Sequence, residues 1–182
     1  MTQIYLDMDG CITSFDKGCE KIFPQYSKNH KPLNDMVAHL DIAPSEFWKV
    51  IDSYGEKWWS DLQPEEWAYE LVDIIKFYDS NFIILTSPSR SHFAASGKIL
   101  WLQKFFKSNK FNRYIITPAI NKQLLANNKS ILVDDNNTNC EQFRSRLGYT
   151  VLFPRIWNTN HELESGKLEH TERQLRLISR YM

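Results

Sequence analysis

The chain has few cysteines and no net charge. Only three of its 182 residues are cysteines, and their irregular spacing contains no CxxC pair. This pattern argues against a disulfide framework and a cysteine zinc site, so Cys11, Cys19 and Cys140 are expected to be reduced thiols. Lysine plus arginine and aspartate plus glutamate both number 22. The chain therefore lacks the overall positive field that attracts nucleic acids and acidic membranes.

Long hydrophobic runs are absent as well. No apolar run approaches the roughly 18 residues that a membrane-spanning helix needs. The first six residues lack the basic and apolar regions of a signal peptide. We therefore expect a cytoplasmic protein. The five histidines show no metal-binding spacing. Hydrophobic residues make up 42% of the chain and aromatic residues 14%, which is enough to form one full hydrophobic core.

Short apolar runs alternate with helical patterns over most of the chain. Strands are predicted over 3–6, 82–85, 113–117, 130–133 and 149–153, and helices over 93–107, 138–147 and 168–181. This alternation predicts an α/β fold, a Rossmann-like parallel sheet with helices on both faces. The C-terminal helix could form a homodimer interface, but packing on the sheet is the default expectation.

Residues 16–77 differ in character from the rest of the chain. They hold four of the six tryptophans and no convincing strand. Helix-start signals predict helices at four places: 17–23 after a capping Asp16, 33–40, from Ser45, and from Pro64. The sequence therefore predicts residues 1–15 and 78–182 as the α/β core. Residues 16–77 are predicted to be a small all-helical cap, inserted between the first and second strands.

Polar groups follow four of the predicted strands at the point where each strand ends. They are Asp7-Met8-Asp9-Gly10, Thr86-Ser87, Lys122 and Asp134-Asp135. Ligands of open α/β sheets bind at the carboxyl ends of the strands, which share one edge. We therefore expect these groups to converge in space, although they are far apart in sequence.

Asp7 and Asp9 are suited to phosphoryl transfer. A carboxylate can attack phosphorus, and a second acid can protonate the leaving oxygen. Asp7 is therefore predicted to be the nucleophile, and Asp9 the general acid and then base. Both can face one pocket if the chain bends at the Gly10 turn. The alternative is an ordinary Asp- and Gly-rich turn without chemistry.

The Asp134-Asp135 pair indicates a magnesium site. Mg²⁺ prefers hard oxygen ligands and commonly uses one or two carboxylates together with a substrate phosphate. The predicted ligands are Asp7, Asp134, Asp135 and the Asp9 position, through a backbone carbonyl near it. The alternative is that Asp135 or Asn136 only caps the following helix.

The remaining two groups are suited to holding phosphate. Thr86 and Ser87 offer hydroxyl and backbone donors at a strand end, although a Ser-Pro-Ser sequence is also common in turns. Lys122 offers a positive charge to phosphate. A lone lysine in a loop is otherwise solvated. The order and common placement of all four groups favour the functional interpretation.

These residues resemble the haloacid dehalogenase (HAD) superfamily of aspartate-nucleophile phosphatases. Its four motifs are matched, over residues 4–136, by Asp7-Met8-Asp9-Gly10-Cys11-Ile12, Thr86, Lys122 and Asp134-Asp135. Cys11 stands where Thr or Val is usual, a departure that concerns local packing. The resemblance implies a Mg²⁺-dependent phosphatase that forms an aspartyl-phosphate intermediate.

Within the superfamily, the chain resembles the 5′(3′)-deoxyribonucleotidases. That branch has Thr-Ser-Pro at the second motif, as at 86–88, then a Lys shortly before a Trp, as at Lys98 and Trp101, and a Phe matching Phe15. The resemblance implies a (deoxy)nucleoside monophosphate substrate, with Lys98 joining Thr86, Ser87 and Lys122 in binding its phosphate or sugar. Phe15 and some of the cap aromatics Phe47, Trp48, Trp58 and Trp59 would stack on the nucleobase. Alternatively, the tryptophans are the cap's own core.

Two other functions fit the same motifs. One is a HAD phosphatase of a sugar phosphate or of a nucleic-acid end, and neutral net charge weighs against the latter. The other is a non-catalytic nucleotide- or phosphate-binding module, which would have no use for Asp9 as acid and base. The expected partner is a small-molecule substrate, without a membrane or a stable nucleic-acid partner.

Overall fold

The computed structural model describes residues 2–25, 37, 40 and 42–181. The helix predicted over 33–40 lies outside the described residues except for positions 37 and 40, which are both helical. Within the described part of the chain, no helix combines the length and apolar character needed to cross a membrane.

Five parallel strands form one sheet. They are β1 (Gln3–Leu6), β2 (Ile83–Thr86), β3 (Tyr114–Ile116), β4 (Ser130–Asp134) and β5 (Tyr149–Leu152), in the order β3-β2-β1-β4-β5. The central strand β1 pairs with β2 through Tyr5↔Ile83 and with β4 through Leu6↔Val133. The predicted α/β class, with its parallel sheet, is confirmed.

Helices lie in the connections between these strands and in the segment after β5. They are α1 (Phe15–Glu20), α2 (Pro44–Ser53), α3 (Gly55–Ser60), α4 (Ala68–Tyr78), α5 (His92–Phe105), α6 (Asn137–Ser145) and α7 (Lys167–Ile178), with two 3₁₀ helices, Ala119–Leu125 and His161–Gly166. Helices α1 to α4 lie between β1 and β2, where the sequence predicts an insertion. The predicted boundary after residue 77 falls just before the end of α4.

Two helix starts differ from the sequence-based expectation. Asp16 does not cap the first helix, because α1 begins at Phe15 with Ser14 at its N-cap position. Helix α4 begins at Ala68 rather than Pro64. Pro64 instead forms a β-bridge with Thr13, and the next amide, at position 65, donates to the Ile12 carbonyl at 2.9 Å. These pairings hold the chain extended ahead of α4.

Both faces of the sheet are covered. Successive residues of a strand point to opposite faces. The larger core is formed by Ile4, Leu6, Ile131 and Val133 of the sheet, with Leu71 and Ile75 of α4, Leu102 of α5 and Leu175 of α7. On the opposite face, Tyr5, Leu85 and Leu132 pack with Phe143 of α6. Helix α7 packs on β5 and α4, as its default interpretation predicts.

Helix α6 ends in a way that the sequence only partly predicts. A glycine just past the end of a helix commonly adopts the left-handed conformation at C′, but here Leu147 rather than Gly148 takes the positive φ, at 68°. Gly148 is instead needed for space. A Cβ at this position would lie 2.3 Å from two ring carbons of Phe143.

We expect Gly148→Ala to destabilise the fold by about 1–3 kcal/mol, because the added methyl group must displace the buried Phe143 ring. The change should appear in the midpoint of urea unfolding. Gly166→Ala is the matched control, since a Cβ at Gly166 would meet nothing within 4 Å. Equal midpoints for the two variants would contradict this packing role.

Candidate active site

The predicted site residues converge at the carboxyl edge of the sheet. A cavity of about 290 Å³ lies there, and Asp7, Asp9, Ser87, Lys122 and Asp135 all contribute to its lining. They come from the ends of β1, β2 and β4 and from the 3₁₀ helix after β3. The expected convergence is therefore confirmed at the level of geometry.

A tight loop after β1 directs Asp7 and Asp9 into the same cavity. The amides of Ile12 and Thr13 both donate to the Met8 carbonyl at 2.9 Å. Gly10 has a φ of +74°, and a Cβ there would lie 2.2 Å from Asp135 Oδ2. Glycine thus provides both the turn and the close approach that brings the loop against the end of β4.

Three carboxylates and one lysine form the buried part of the site. Oxygens of Asp7, Asp134 and Asp135 all lie within 4.8 Å of one another. Lys122, only 2% exposed, lies 2.7 Å from Asp7 Oδ1 and 2.7 Å from Asp134 Oδ2. The interpretation of Lys122 as a solvated loop residue is therefore wrong.

Burial of this cluster perturbs its ionisation. Burial raises the pKa of Asp7 from 3.8 to about 7, although Lys122 opposes the shift. Burial, reinforced by the charges of Asp134 and Asp7, raises the pKa of Asp135 well above its ordinary value. Burial alone would lower the pKa of Lys122, but Asp134 and Asp7 outweigh it and raise that pKa, so the lysine remains charged.

The acidic cluster has the chemistry of a divalent-cation site. The cluster holds three carboxylates, and the ammonium group of Lys122 pairs with only two of them, Asp7 and Asp134, which leaves excess negative charge in a buried place. Buried charge without compensation is costly, and hard oxygen ligands are those that Mg²⁺ prefers. Asp7, Asp134 and Asp135 therefore fit a magnesium ion. The Asp9 carboxylate is not part of this group in the described structure.

Asp134 is held in place by neighbouring groups. Asn139 Nδ2 donates to both of its carboxylate oxygens, at 3.0 and 3.1 Å, and the Asn136 amide donates to Oδ1 at 2.9 Å. Asn136 also caps α6, accepting from the Asn139 amide at 3.0 Å. The alternative of a helix cap is thus correct for Asn136, while Asp135 is free to line the cavity.

Asp9 belongs to a second polar group beside the acidic cluster. Its Oδ2 accepts a hydrogen bond from Lys98, a fully buried residue that also donates to Thr86 Oγ1 at 3.0 Å. Neither Lys98 nor Thr86 is among the residues that line the cavity. Lys98 thus supports Asp9, and the substrate-binding role that the resemblance implies for Lys98 and Thr86 stays a prediction. Asp9 Oδ1 has no hydrogen-bond partner in the described part of the chain.

Close packing of α3 on α5 positions Lys98. A Cβ on the neighbouring residue, Gly97, would lie 2.4 Å from Trp59 Cβ and 2.7 Å from the Glu56 carbonyl oxygen. The Lys98 ammonium lies 5.2 Å from the centre of the Trp59 ring. The two helices therefore approach as closely as they do because residue 97 has no side chain.

The aromatic residues of the predicted cap fall into different groups. Phe15, Phe47 and Trp48 line the cavity, which is consistent with the role that the resemblance gives them. Trp59 is buried and stacks on Phe15, with ring centres 5.6 Å apart, so it is part of the core. Trp58 lines a different surface pocket.

The loop after β5 contributes residues that the motifs do not reveal. Trp157 lines the cavity, and its indole N–H donates to Asp135 Oδ2 at 2.7 Å. Asn158 Nδ2 donates to the Asp135 carbonyl at 2.8 Å. The sequence over 155–167 has the polar composition of a loop and carries no catalytic motif. The signal was nevertheless present, because this loop too follows the carboxyl end of a strand.

Arg155 joins this loop to the opposite side of the cavity. Its guanidinium, on a side chain 4% exposed, donates to the Gly10 carbonyl, pairs with Glu65 at 2.7 Å and with Asp16 at 3.2 Å. The guanidinium carbon also lies 4.2 Å from the centre of the Trp157 ring. One buried cation thereby connects the loop after β1 with α1 and the chain before α4.

Comparison with known proteins does not assign the chain to a family: no protein-family model matches it, and neither does any curated protein.

Proposed function

We propose that the protein is a Mg²⁺-dependent phosphatase of the HAD type, which releases phosphate from (deoxy)nucleoside monophosphates through an aspartyl phosphate on Asp7. In this proposal the sheet and its helices are the catalytic core, and the helices between β1 and β2 form a cap. One observation carries it: Asp7 and Asp9 face a single cavity from two different environments. Asp7 is buried against Lys122, whereas Asp9 is 27% exposed.

These environments suit two different roles. Asp7 Oδ1 is held by Lys122, and the opposite carboxylate oxygen remains to attack phosphorus. Asp9, with one oxygen on Lys98 and one unpaired, would protonate the departing sugar oxygen and then take a proton from water. The Ser87 hydroxyl, buried and without a partner, is available to a phosphate oxygen. When bound to Asp7, Asp134 and Asp135, Mg²⁺ would offset repulsion between phosphate and carboxylates.

The rest of the cavity favours a small aromatic substrate. Phe15, Phe47 and Trp48 supply an apolar wall beside the acidic end. The volume of about 290 Å³ lies near the lower end of the range of about 300–1,000 Å³ that is usual for small-molecule sites. A nucleoside monophosphate offers a phosphate to one end and a flat base to the other, and the zero net charge of the chain argues against a polynucleotide end.

Phosphate release from a panel of monophosphates, with and without Mg²⁺, tests the proposal. We expect Mg²⁺-dependent release from nucleoside monophosphates. Release confined to sugar phosphates would preserve the catalytic chemistry and overturn the assignment of the aromatic wall. Absence of release from every ester, by a folded protein, would contradict the proposed enzyme.

Asp9→Asn separates an enzyme from a binding module. We expect the variant to lose at least about 100-fold in kcat, since general acid–base catalysis commonly contributes a factor of about 10²–10⁴. It should still bind inorganic phosphate in the presence of Mg²⁺, as measured by calorimetry. Asp73→Asn, at an exposed position of α4, is the control. Unchanged kcat in Asp9→Asn would remove Asp9 from the mechanism.

A further inference from the structure

Asp16 is a polar residue of the cavity that the proposed mechanism does not use. It follows Phe15 on α1 and lines the same cavity. Its Oδ2 accepts from Arg155 Nη2 at 3.2 Å, while its Oδ1 is buried and has no hydrogen-bond partner among the described residues. The side chain is 14% exposed. Asp16 is therefore a cavity-lining carboxylate with only part of its accepting capacity filled.

Burial and a nearby cation act on the ionisation of Asp16 in opposite directions. Burial raises the pKa of Asp16. The Arg155 guanidinium and the Lys17 amide both oppose this rise. An ionised carboxylate accepts hydrogen bonds and donates none. A buried acceptor that lacks a partner costs free energy, so a ligand that supplies a donor gains from meeting it.

Asp16 cannot serve the phosphate end of the cavity. Two other lining residues there have buried unpaired oxygens, namely Asp9 and Ser87, and both already have roles toward phosphate or its leaving group. A carboxylate repels a phosphate dianion, and Asp16 has its own cation in Arg155. Its neighbour Phe15 belongs to the aromatic wall. The chemistry therefore directs Asp16 toward the part of the substrate that carries hydrogen-bond donors.

We propose that Asp16 is a specificity-determining residue, which accepts a hydrogen bond from an N–H or O–H group of the nucleoside part of the substrate. This inference rests on the proposed nucleotidase function. It predicts that nucleotides lacking the relevant donor are selected against, because the Asp16 oxygen would then remain desolvated without a partner.

Arg155 makes Asp16→Asn an informative variant. A guanidinium only donates hydrogen bonds, so Arg155 should pair with the side-chain oxygen of the new amide. The NH₂ group of the amide then takes the place of Asp16 Oδ1. The variant thus exchanges an acceptor for a donor with almost no change in shape. Asp16→Ala removes the acceptor without a replacement. Glu164→Gln is the matched control, because Glu164 pairs with Arg155 Nε at 3.4 Å and is not among the cavity-lining residues.

The test compares thymidine 5′-monophosphate with two analogues, one methylated at the base N3 and one without the 3′-hydroxyl group. In the wild-type protein, one of the two analogues should have a kcat/KM about tenfold lower than thymidine 5′-monophosphate, mainly because its KM is higher. A loss with the N3-methylated analogue would identify a base N–H as the donor, and a loss with the 3′-deoxy analogue would identify a sugar O–H. Asp16→Ala and Asp16→Asn should abolish this discrimination, and Glu164→Gln should preserve it. Hydrolysis of p-nitrophenyl phosphate, which lacks such donors, should be unchanged in Glu164→Gln and should fall in the Asp16 variants by a much smaller factor than nucleotide hydrolysis.

Three outcomes would overturn the inference. In one, the wild-type protein does not discriminate between the three nucleotides. In another, Asp16→Ala keeps the wild-type discrimination. In the third, p-nitrophenyl phosphate hydrolysis falls in parallel with that of the nucleotides, which would make Asp16 only a structural partner of Arg155. If the wild-type protein hydrolyses no ester, the proposed function fails, and calorimetric binding of the same three nucleotides then decides the role of Asp16.

Discussion

Asp7→Asn is expected to lower the rate of phosphate release by at least about 10³-fold, because loss of a catalytic nucleophile leaves only binding and electrostatic contributions. An amide oxygen retains the shape of the carboxylate but is a poor nucleophile toward phosphorus. The measurement is single-turnover release from the preferred monophosphate at saturating Mg²⁺. Near-normal release by the variant would exclude an aspartyl phosphate at this position.

The same variant should fold, with a stability that differs from wild type in a pH-dependent way. Burial raises the pKa of Asp7 from 3.8 to about 7. Between these two values the folded state holds a proton that the unfolded chain has lost, so this residue makes stability fall as pH rises through that window. Asparagine does not titrate. Urea unfolding without Mg²⁺ should therefore show the variant gaining stability relative to wild type from pH 5 to pH 8.

Lys122→Met is expected to cost about 3–5 kcal/mol of folding stability, the usual penalty for removing one partner of a buried ion pair. The lysine lies 2.7 Å from both Asp7 and Asp134, and methionine fills its apolar volume while leaving these carboxylates without a cation. The free energy of unfolding from urea titrations measures the loss. Mg²⁺ should restore more stability to this variant than to wild type, because a bound cation supplies the missing charge.

Lys104→Met is the matched control for this prediction. Lys104 also pairs with an aspartate, Asp61 at 2.8 Å, but its side chain is 58% exposed. Exposed pairs contribute about 0–1 kcal/mol, so the control should lose little and should not respond specifically to Mg²⁺. Similar losses in both lysine variants would show that the cation of the acidic cluster has no special importance.

Local patterns were sufficient to predict the sheet and much of the site. Each strand is a short apolar run, and the ends of the five predicted strands differ from the observed ones by at most one residue. The common edge of a parallel sheet then places Asp7, Lys122 and Asp135 together without knowledge of any distance. Phe15 was placed by resemblance, and it does line the cavity.

Long-range contacts account for what the sequence did not predict. Pro64 and Glu65 have the composition of a helix start, but pairing with the loop after β1 keeps them extended. The contact between Lys98 and Asp9 was not predicted either, because it depends on the packing of α5 on α3. Arg155 gave no local signal, because its partners at positions 10, 16 and 65 are far away in the sequence.

The absence of a side chain at Gly97 determines how Lys98, the next residue, is positioned. Helices α3 and α5 meet almost backbone to backbone there, so even one methyl group would push them apart. That displacement would be transmitted to Lys98, and through it to the oxygen of Asp9 that it binds. The orientation of an acid at the cavity is thus set by a residue that carries no functional group. The proposed catalytic geometry therefore requires a residue without a side chain at position 97 as strictly as it requires a positive charge at position 98.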